Sequence, residues 1–349
     1  MRIVVSGIFL FIVSFNYGYA QDLDKNKSYE VFCAGFYNVE NLYDTIDQPL
    51  ISDEEFTPTG INRWDGPKYW KKIEHLSEVL SQLGIESTPD GAAVIGLCEV
   101  ESRSCLEDLI HAPALSKRKY SIVHYDGPDQ RGVDVAFLFQ PKYFKLISSR
   151  AVKITLTGDD ARPTRDELLV SGEMNGERMH FIVCHWPSRR GGEKKSAPKR
   201  MTAALTAKSI IDSIYKSEPS AKIVLMGDLN DDPDSKSIVK GLVTVPEKRQ
   251  IHLGQMYNCM LGLFERGIGT LAYNDTWNLF DQMIVTPELI RFDFNSYRFY
   301  NAKIFNKPFL KQEYGNFKGY PFRTYAGGIY NGGYSDHFPV YTFFVREKK

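Results

Sequence analysis

Four apolar runs in this chain each stop on a polar or ionisable side chain. They are VFCAGFYN (31–38), AAVIGLCEV (92–100), ERMHFIVCHW (177–186) and KIVLMGDLN (222–230). Nearly continuous apolar character over a strand's length marks a strand covered on both faces. A chain with several such strands must bury its sheets between other layers. Asn175-Gly176 separates ELLVSGEM from ERMHFIVCHW and gives the strongest short hairpin signal, so the sheets are not purely parallel. VDVAFLF (133–139), FDQMIV (280–285) and FPVYTFFV (338–345) add further strands.

PKYWKKIEHLSEVLSQLG (67–84) predicts a helix with Trp70, Ile73, Leu76, Val79, Leu80 and Leu83 on one face. Pro67 suits its first turn and Gly84 its stop. A second helix is expected over 198–216, with Met201, Leu205, Ile211 and Ile214 facing a core. Segment 291–334 is rich in Tyr, Phe, Asn and Gly, lacks a clean period and predicts long loops with at most a short helix. The expected architecture is one α/β domain over 21–349, with two packed mixed sheets flanked by helices.

The first twenty residues, MRIVVSGIFLFIVSFNYGYA, match a secretory signal peptide. Its apolar stretch falls short of the roughly 20 residues a bilayer span needs. Export, to the periplasm or outside the cell, is therefore expected, with no stable membrane anchor after cleavage. The 43 basic and 43 acidic residues balance, so any polyanion must be met by a local patch rather than by net charge. Five cysteines without a CxxC exclude a zinc cluster of the usual spacing; buried free thiols are expected.

The residues that end the strands carry the chemistry. Asn38 follows FCAGFY, Glu99 follows VIGLC, His185 follows FIVC, and Asp228 and Asn230 follow IVLMG. Asp281 opens a strand, and Asp336-His337 precede FPVY. Each has an ordinary explanation alone, as the first solvated residue of a loop, a turn former or a structural histidine. All of them at matching places predict one rim of a packed sheet. Oxygen donors from Glu, Asp and Asn favour a hard divalent ion, Mg²⁺ or Mn²⁺. Histidines paired with carboxylates handle protons or donate to phosphate oxygens. Together they suit metal-assisted attack of water on a phosphoester.

In order along the chain, FYNVENL, IGLCEVE, RGVDVAFLF, CHWPSR, MGDLND, FDQMIV and YSDHFPVY resemble the endonuclease/exonuclease/phosphatase superfamily, with its deoxyribonuclease I-like fold. The resemblance runs from about residue 31 to 345. It implies a four-layered α/β sandwich with the site at one rim of two central sheets. It implies that Glu99 is the principal metal ligand, supported by Asn38 and Asp336. Asp228 then orients or activates the water, with Asn230 on the phosphate. His337, held by Asp281, acts as base or phosphate donor, and His185 as the second histidine, with Asp134 a candidate to orient it.

HWPSRRGGEKKSAPKR (185–200) is a basic run directly after His185 and is expected to meet phosphate. Arg189 and Arg190 lie in it; Arg162, Arg165 and Arg323 are expected to add contacts. The leading expectation is a monomeric phosphodiesterase acting on nucleic acid. A phospholipid or phosphorylated small molecule is the second, and a non-catalytic binding module the third.

Overall fold

The structure is a computed structural model that describes residues 23–158 and 162–348; the signal peptide assigned to 1–20 lies outside the described residues. In chain order the strands are β1 (Tyr29–Leu42), β2 (Val94–Val100), β3 (Ser121–His124), β4 (Asp134–Phe139), β5 (Phe144–Val152), β6 (Glu167–Met174), β7 (Glu177–His185), β8 (Ile223–Asp228), β9 (Thr244–Val245), β10 (Met256–Asn258), β11 (Leu271–Tyr273), β12 (Thr276–Asn278), β13 (Asp281–Val285), β14 (Arg298–Ile304), β15 (Tyr325–Ala326), β16 (Ile329–Tyr330) and β17 (Val340–Glu347). The longer helices are α1 (Gly66–Gln82), α2 (Arg103–His111) and α3 (Glu193–Ser217).

Among the described residues, a six-stranded sheet runs β14-β17-β1-β2-β4-β3 and a seven-stranded sheet runs β5-β6-β7-β8-β13-β10-β9. Both mix parallel and antiparallel pairs: β1 with β2 and β7 with β8 are parallel, while β17, β4, β6 and β13 pair antiparallel with their neighbours. The inner faces share one core, in which Phe36, Phe137 and Val94 meet Phe181, Val224 and Met226. The outer face of the six-stranded sheet packs on α1 and α2. That of the seven-stranded sheet packs on α3. The four layers are therefore helices, sheet, sheet and helix, as expected. All five cysteines are free and buried.

Local sequence explains the elements. Asp65 caps α1 by accepting the Lys68 amide at 3.1 Å, and Pro67 occupies its first turn; such a cap contributes about 1 kcal/mol. Ser102 caps α2 in the same way, through the Cys105 amide. Asn175 and Gly176 both take positive φ, 47° and 83°, as a two-residue hairpin requires. Gly96 lets the sheets approach: a Cβ there would meet Met226 Sδ at 2.7 Å.

Three expectations need correction. Trp70 on α1 is 55% exposed and Leu205 on α3 is 54% exposed, because each lies one residue off the buried stripe. Helix α3 begins at Glu193, not 198, and Pro198 lies inside it, where it forgoes the N–H that would reach the Lys194 carbonyl. Segment 291–334 contains the edge strand β14, paired with β17, together with the β15–β16 hairpin.

No helix among the described residues is long and apolar enough to cross a membrane.

Candidate active site

The ends of β1, β2, β7 and β8 and the starts of β4, β13 and β17 meet at one rim. Parallel pairing sets His185 opposite Asp228, and antiparallel pairing sets Asp228 opposite Asp281. Three neighbouring strands thus place three functional side chains in a single cross-strand row. On the facing sheet, a register shift between Cys98 and Val100 leaves Glu99 as the extra residue. Bulges of this kind re-aim a side chain. Glu99 also takes φ 63°, and Glu40, Asn41 and Asn230 take 51°, 53° and 50°. Left-handed conformations in non-glycine residues cost of order 1 kcal/mol or more each and persist where surrounding contacts hold them.

Those contacts are present. Asn38 Nδ2 donates to Asp228 Oδ2 at 3.0 Å, tying the two sheets together. The Asn41 amide donates to Glu99 Oε2 at 2.9 Å. The Asn230 amide donates to Asp228 Oδ1 at 3.0 Å, and Asn230 Nδ2 donates to the Trp186 carbonyl. His185 Nε2 stands 3.8 Å from Glu99 Oε1 and 3.7 Å from Asp228 Oδ2. His337 Nδ1 pairs with Asp281 Oδ2 at 2.7 Å, while its Nε2 lies 4.0 Å from Asp228 Oδ2 and 3.9 Å from Asp336 Oδ1. Ser335 fixes this corner: its hydroxyl donates to the Asn38 carbonyl and accepts the His337 amide.

The environment drives the two imidazoles apart. Burial pushes His185 well below the ordinary histidine value, and Arg165, Arg131 and His337 push the same way. Burial pulls on His337 too, but Asp281, by charge and hydrogen bond, and then Asp336 and Asp228 hold it well above that value. Asp228 is pushed up to about 6 by burial, with His337 opposing and Asp281 adding to the rise. One neutral and one charged imidazole beside a carboxylate near neutrality is an acid–base arrangement.

The donors fit a hard divalent cation. Glu99, Asp228 and Asn38 offer oxygen, and Glu99 keeps Oε1 clear of the Asn41 amide. Cys98 Sγ also lies within reach of His185 and Asp228. Burial raises its thiol well above the ordinary range, and its soft sulfur suits a hard cation less well than the oxygens do.

Several expected contacts are placed differently. Arg165 is buried, with Nη1 on Asp129 at 2.9 Å and Nη2 on the Trp186 carbonyl at 2.7 Å, so it braces the strand end from behind. Arg189 is clamped by Asp231, Asp232 and the Asn230 carbonyl and lies over the Phe280 ring. Both lose their donors to carboxylates far away in sequence. Arg323 binds Asp336 Oδ2 at 3.1 Å, so part of its charge is met by a carboxylate at the rim. Asp134 faces His124 at 3.6 Å rather than His185. Arg190 is exposed and lines a cleft of about 490 Å³ with Arg162, Pro187, Lys195 and Lys199.

Two functional neighbours escaped the sequence reading. Glu40 is buried beside the fully buried Lys72, whose Nζ lies 3.7 Å from Glu40 Oε2 and donates to Thr324 Oγ1 and the Tyr334 carbonyl, each at 2.7 Å. Lys72 thereby ties α1 to the segment that delivers Asp336 and His337. The available signal was its place in the apolar stripe of α1, four residues before Leu76.

Glu167, beneath Trp186, carries a separate consequence. Its Oε1 accepts the indole N–H at 3.0 Å, and Oε2 finds no partner among the described residues. Burial pushes its carboxyl up to about 8. The folded state therefore holds the proton more tightly than the unfolded chain, and stability is lost as pH rises from about 4.5 to 8. Glu167→Gln removes that loss. In urea unfolding its stability relative to wild type is expected to improve by roughly 3–5 kcal/mol between pH 5 and pH 8.5. A difference independent of pH would show that Glu167 is ionised throughout.

The comparisons agree with this geometry. The profile described as Endonuclease/Exonuclease/phosphatase family matches residues 33–346. No curated protein matches the chain. Among solved structures, TDP2 from Caenorhabditis elegans is 13% identical with a TM-score of 0.55, covering 90% of this chain and 74% of that one. TDP2 from D. rerio, solved with a single-strand DNA product, is 13% identical with a TM-score of 0.54, covering 90% and 98%. A mannosyl-6-phosphatase from Bacteroides thetaiotaomicron is 14% identical with a TM-score of 0.54, covering 90% and 99%. At these identities the likeness is one of fold. With the profile spanning nearly all described residues, the chain belongs to the endonuclease/exonuclease/phosphatase family of phosphoester hydrolases.

Proposed function

We propose that this protein is an exported, monomeric, Mg²⁺- or Mn²⁺-dependent phosphodiesterase that cleaves nucleic acid by attack of water on phosphorus. The observation that carries the reading is the meeting of Glu99, Asp228, His185 and the Asp281–His337 pair at one rim. Glu99 would hold the ion, with Asn38 and Asp336 in support. When bound, such an ion polarises a phosphoryl oxygen and offsets its charge. Asp228, near 6, accepts the proton of the attacking water as the new P–O bond forms and the ester P–O bond breaks, and the leaving oxygen takes up a proton from solvent. Asn38 and the Asn230 amide hold that carboxylate in place. The charged His337, steadied by Asp281, donates to a phosphate oxygen as negative charge grows there. Neutral His185 lies on the other side of Asp228, and its Nδ1 finds no partner among the described residues.

Nucleic acid is favoured by the cleft beside the His185 end of β7, where Arg162 and Arg190 are exposed. The D. rerio relative with its single-strand DNA product lends support. The mannosyl-6-phosphatase relative favours a second reading, a phosphorylated small molecule. A panel of single-stranded DNA, plasmid, RNA, sugar phosphates and phospholipids, run with and without EDTA, separates them. Cleavage of nucleic acid abolished by EDTA is expected. Intact nucleic acid with release of phosphate from a sugar phosphate would pass the case to the second reading. Glu99→Gln is expected to raise the metal concentration for half-maximal activity about 10-fold or more; an unchanged titration removes Glu99 from the site.

A further inference from the structure

A second acidic centre lies just past the end of β2, around Glu101, two residues beyond Glu99. The loop after β1 and the start of α2 bring Asp44, Asp53 and Glu101 together. Glu101 is 4% exposed and Asp53 1% exposed. Each spends one oxygen on the loop backbone: Glu101 Oε2 accepts the Asp44 amide at 2.6 Å, and Asp53 Oδ2 accepts the Gln48 amide at 3.1 Å. The other oxygens, Glu101 Oε1 and Asp53 Oδ1, are buried with no donor group on them among the described residues, and the two carboxyls lie close enough to share a proton. Asp44 uses Oδ1 on the Ile46 amide, and its carboxylate lies within 4.8 Å of those of Glu101 and of Cys105 Sγ. The charges of Asp44 and Asp53 both bear on Glu101. No Lys or Arg among the described residues pairs with any of the three carboxylates.

Buried carboxylates without a cation are among the costliest arrangements in a protein interior. Two buried oxygens without a donor group beside a third carboxylate have the form of ligands. We infer that Asp44, Asp53 and Glu101 form a second, structural site for a hard divalent cation, Ca²⁺, separate from the catalytic centre. Ca²⁺ takes carboxylate oxygens from flexible loops and completes its shell with water, which the half-buried Asp44 edge admits. Mg²⁺ binds through fewer carboxylates and keeps its water more firmly. Cys105 is marginal, since its sulfur lies 4.0 Å from Glu101 Oε2 and already accepts from Ser102 Oγ.

The site would pin a loop that walls the active-site rim. Tyr43, next to Asp44, stacks on Phe56 at 4.3 Å; Phe56 meets Trp64 edge-on, and Trp64 packs on Tyr325. Tyr325 follows Thr324, which Lys72 and Glu40 hold. Cation binding would therefore be felt in stability more than in chemistry.

The test separates this centre from the catalytic one. After metal is stripped with EDTA and the EDTA removed, Ca²⁺ is titrated calorimetrically into Glu99→Gln, in which the catalytic centre is weakened. One ion per chain is expected in Glu99→Gln and none in Glu99→Gln/Asp44→Asn. Thermal unfolding of the wild type should rise by about 4 °C at a hundredfold excess of Ca²⁺ over Kd. The rise should persist in Glu99→Gln and vanish in Glu101→Gln and Asp53→Asn. Should those two fail to fold, the half-buried Asp44→Asn gives the same readout. No ion bound to Glu99→Gln, or a Ca²⁺ response unchanged by Asp44→Asn, would overturn the inference and leave the carboxylates sharing a proton.

Discussion

Turnover of the His337→Gln variant is expected to fall about 10³- to 10⁴-fold, with cooperative unfolding retained. The size follows from what glutamine keeps and loses. It keeps an N–H for the buried Asp281, which His337 now meets at 2.7 Å. It loses the positive charge that Asp281, Asp336 and Asp228 hold on the imidazole. That charge lies 4.0 Å from the carboxylate placed to take the water's proton. His337→Ala should lose as much activity and should also lose roughly 3 kcal/mol of stability, because Asp281 is then buried without its partner. Steady-state kinetics on a cleaved substrate and urea unfolding of both variants check this. Near-normal turnover in His337→Gln would make the residue structural.

Lys72→Met is expected to cost roughly 3–5 kcal/mol in unfolding free energy, a large part of a typical domain's stability. Lys72 is fully buried and bridges Glu40, Thr324 and the Tyr334 carbonyl. Burial pushes Glu40 up to about 7, with Asp336 adding to the rise and Lys72 opposing it. Without the ammonium, Glu40 keeps only the Thr324 amide. The segment from 324 to 337 also loses its tie to α1, so kcat should fall while the half-saturating metal concentration changes little. Glu40→Gln added to Lys72→Met should recover part of the stability, since the uncompensated charge is removed with it. A loss below about 1 kcal/mol for Lys72→Met would mean that water already reaches the pair.

The strand-end residues were legible because each follows an apolar run that leaves little choice of environment. Glu99, His185 and Asp228 could be placed from one dimension alone. The bulge at Glu99 and the cross-strand row were not, since register depends on the partner strand. The basic run after His185 was legible as charge but not as geometry. Arg189 is bound by Asp231 and Asp232, and Arg165 by Asp129, partners that only folding brings near. Lys72 carries a polar head on an apolar stem, so its position in the stripe of α1 could be read while its burial could not. Strand β14 was missed because its Tyr, Asn and Lys residues blur the alternation an edge strand shows.

The row formed by His185, Asp228 and Asp281 has a fixed pitch, the separation of hydrogen-bonded strands, about 4.8 Å. Deleting or inserting one residue within β8 would bring Gly227 or Leu229 to the middle of that row and turn the acid to the sheet's other side. Loops around the rim are free to lengthen and change what is gripped, while the chemical step tolerates no adjustment by small increments. Descendants of this chain can therefore acquire new substrates gradually but can lose hydrolysis in a single frame-preserving event.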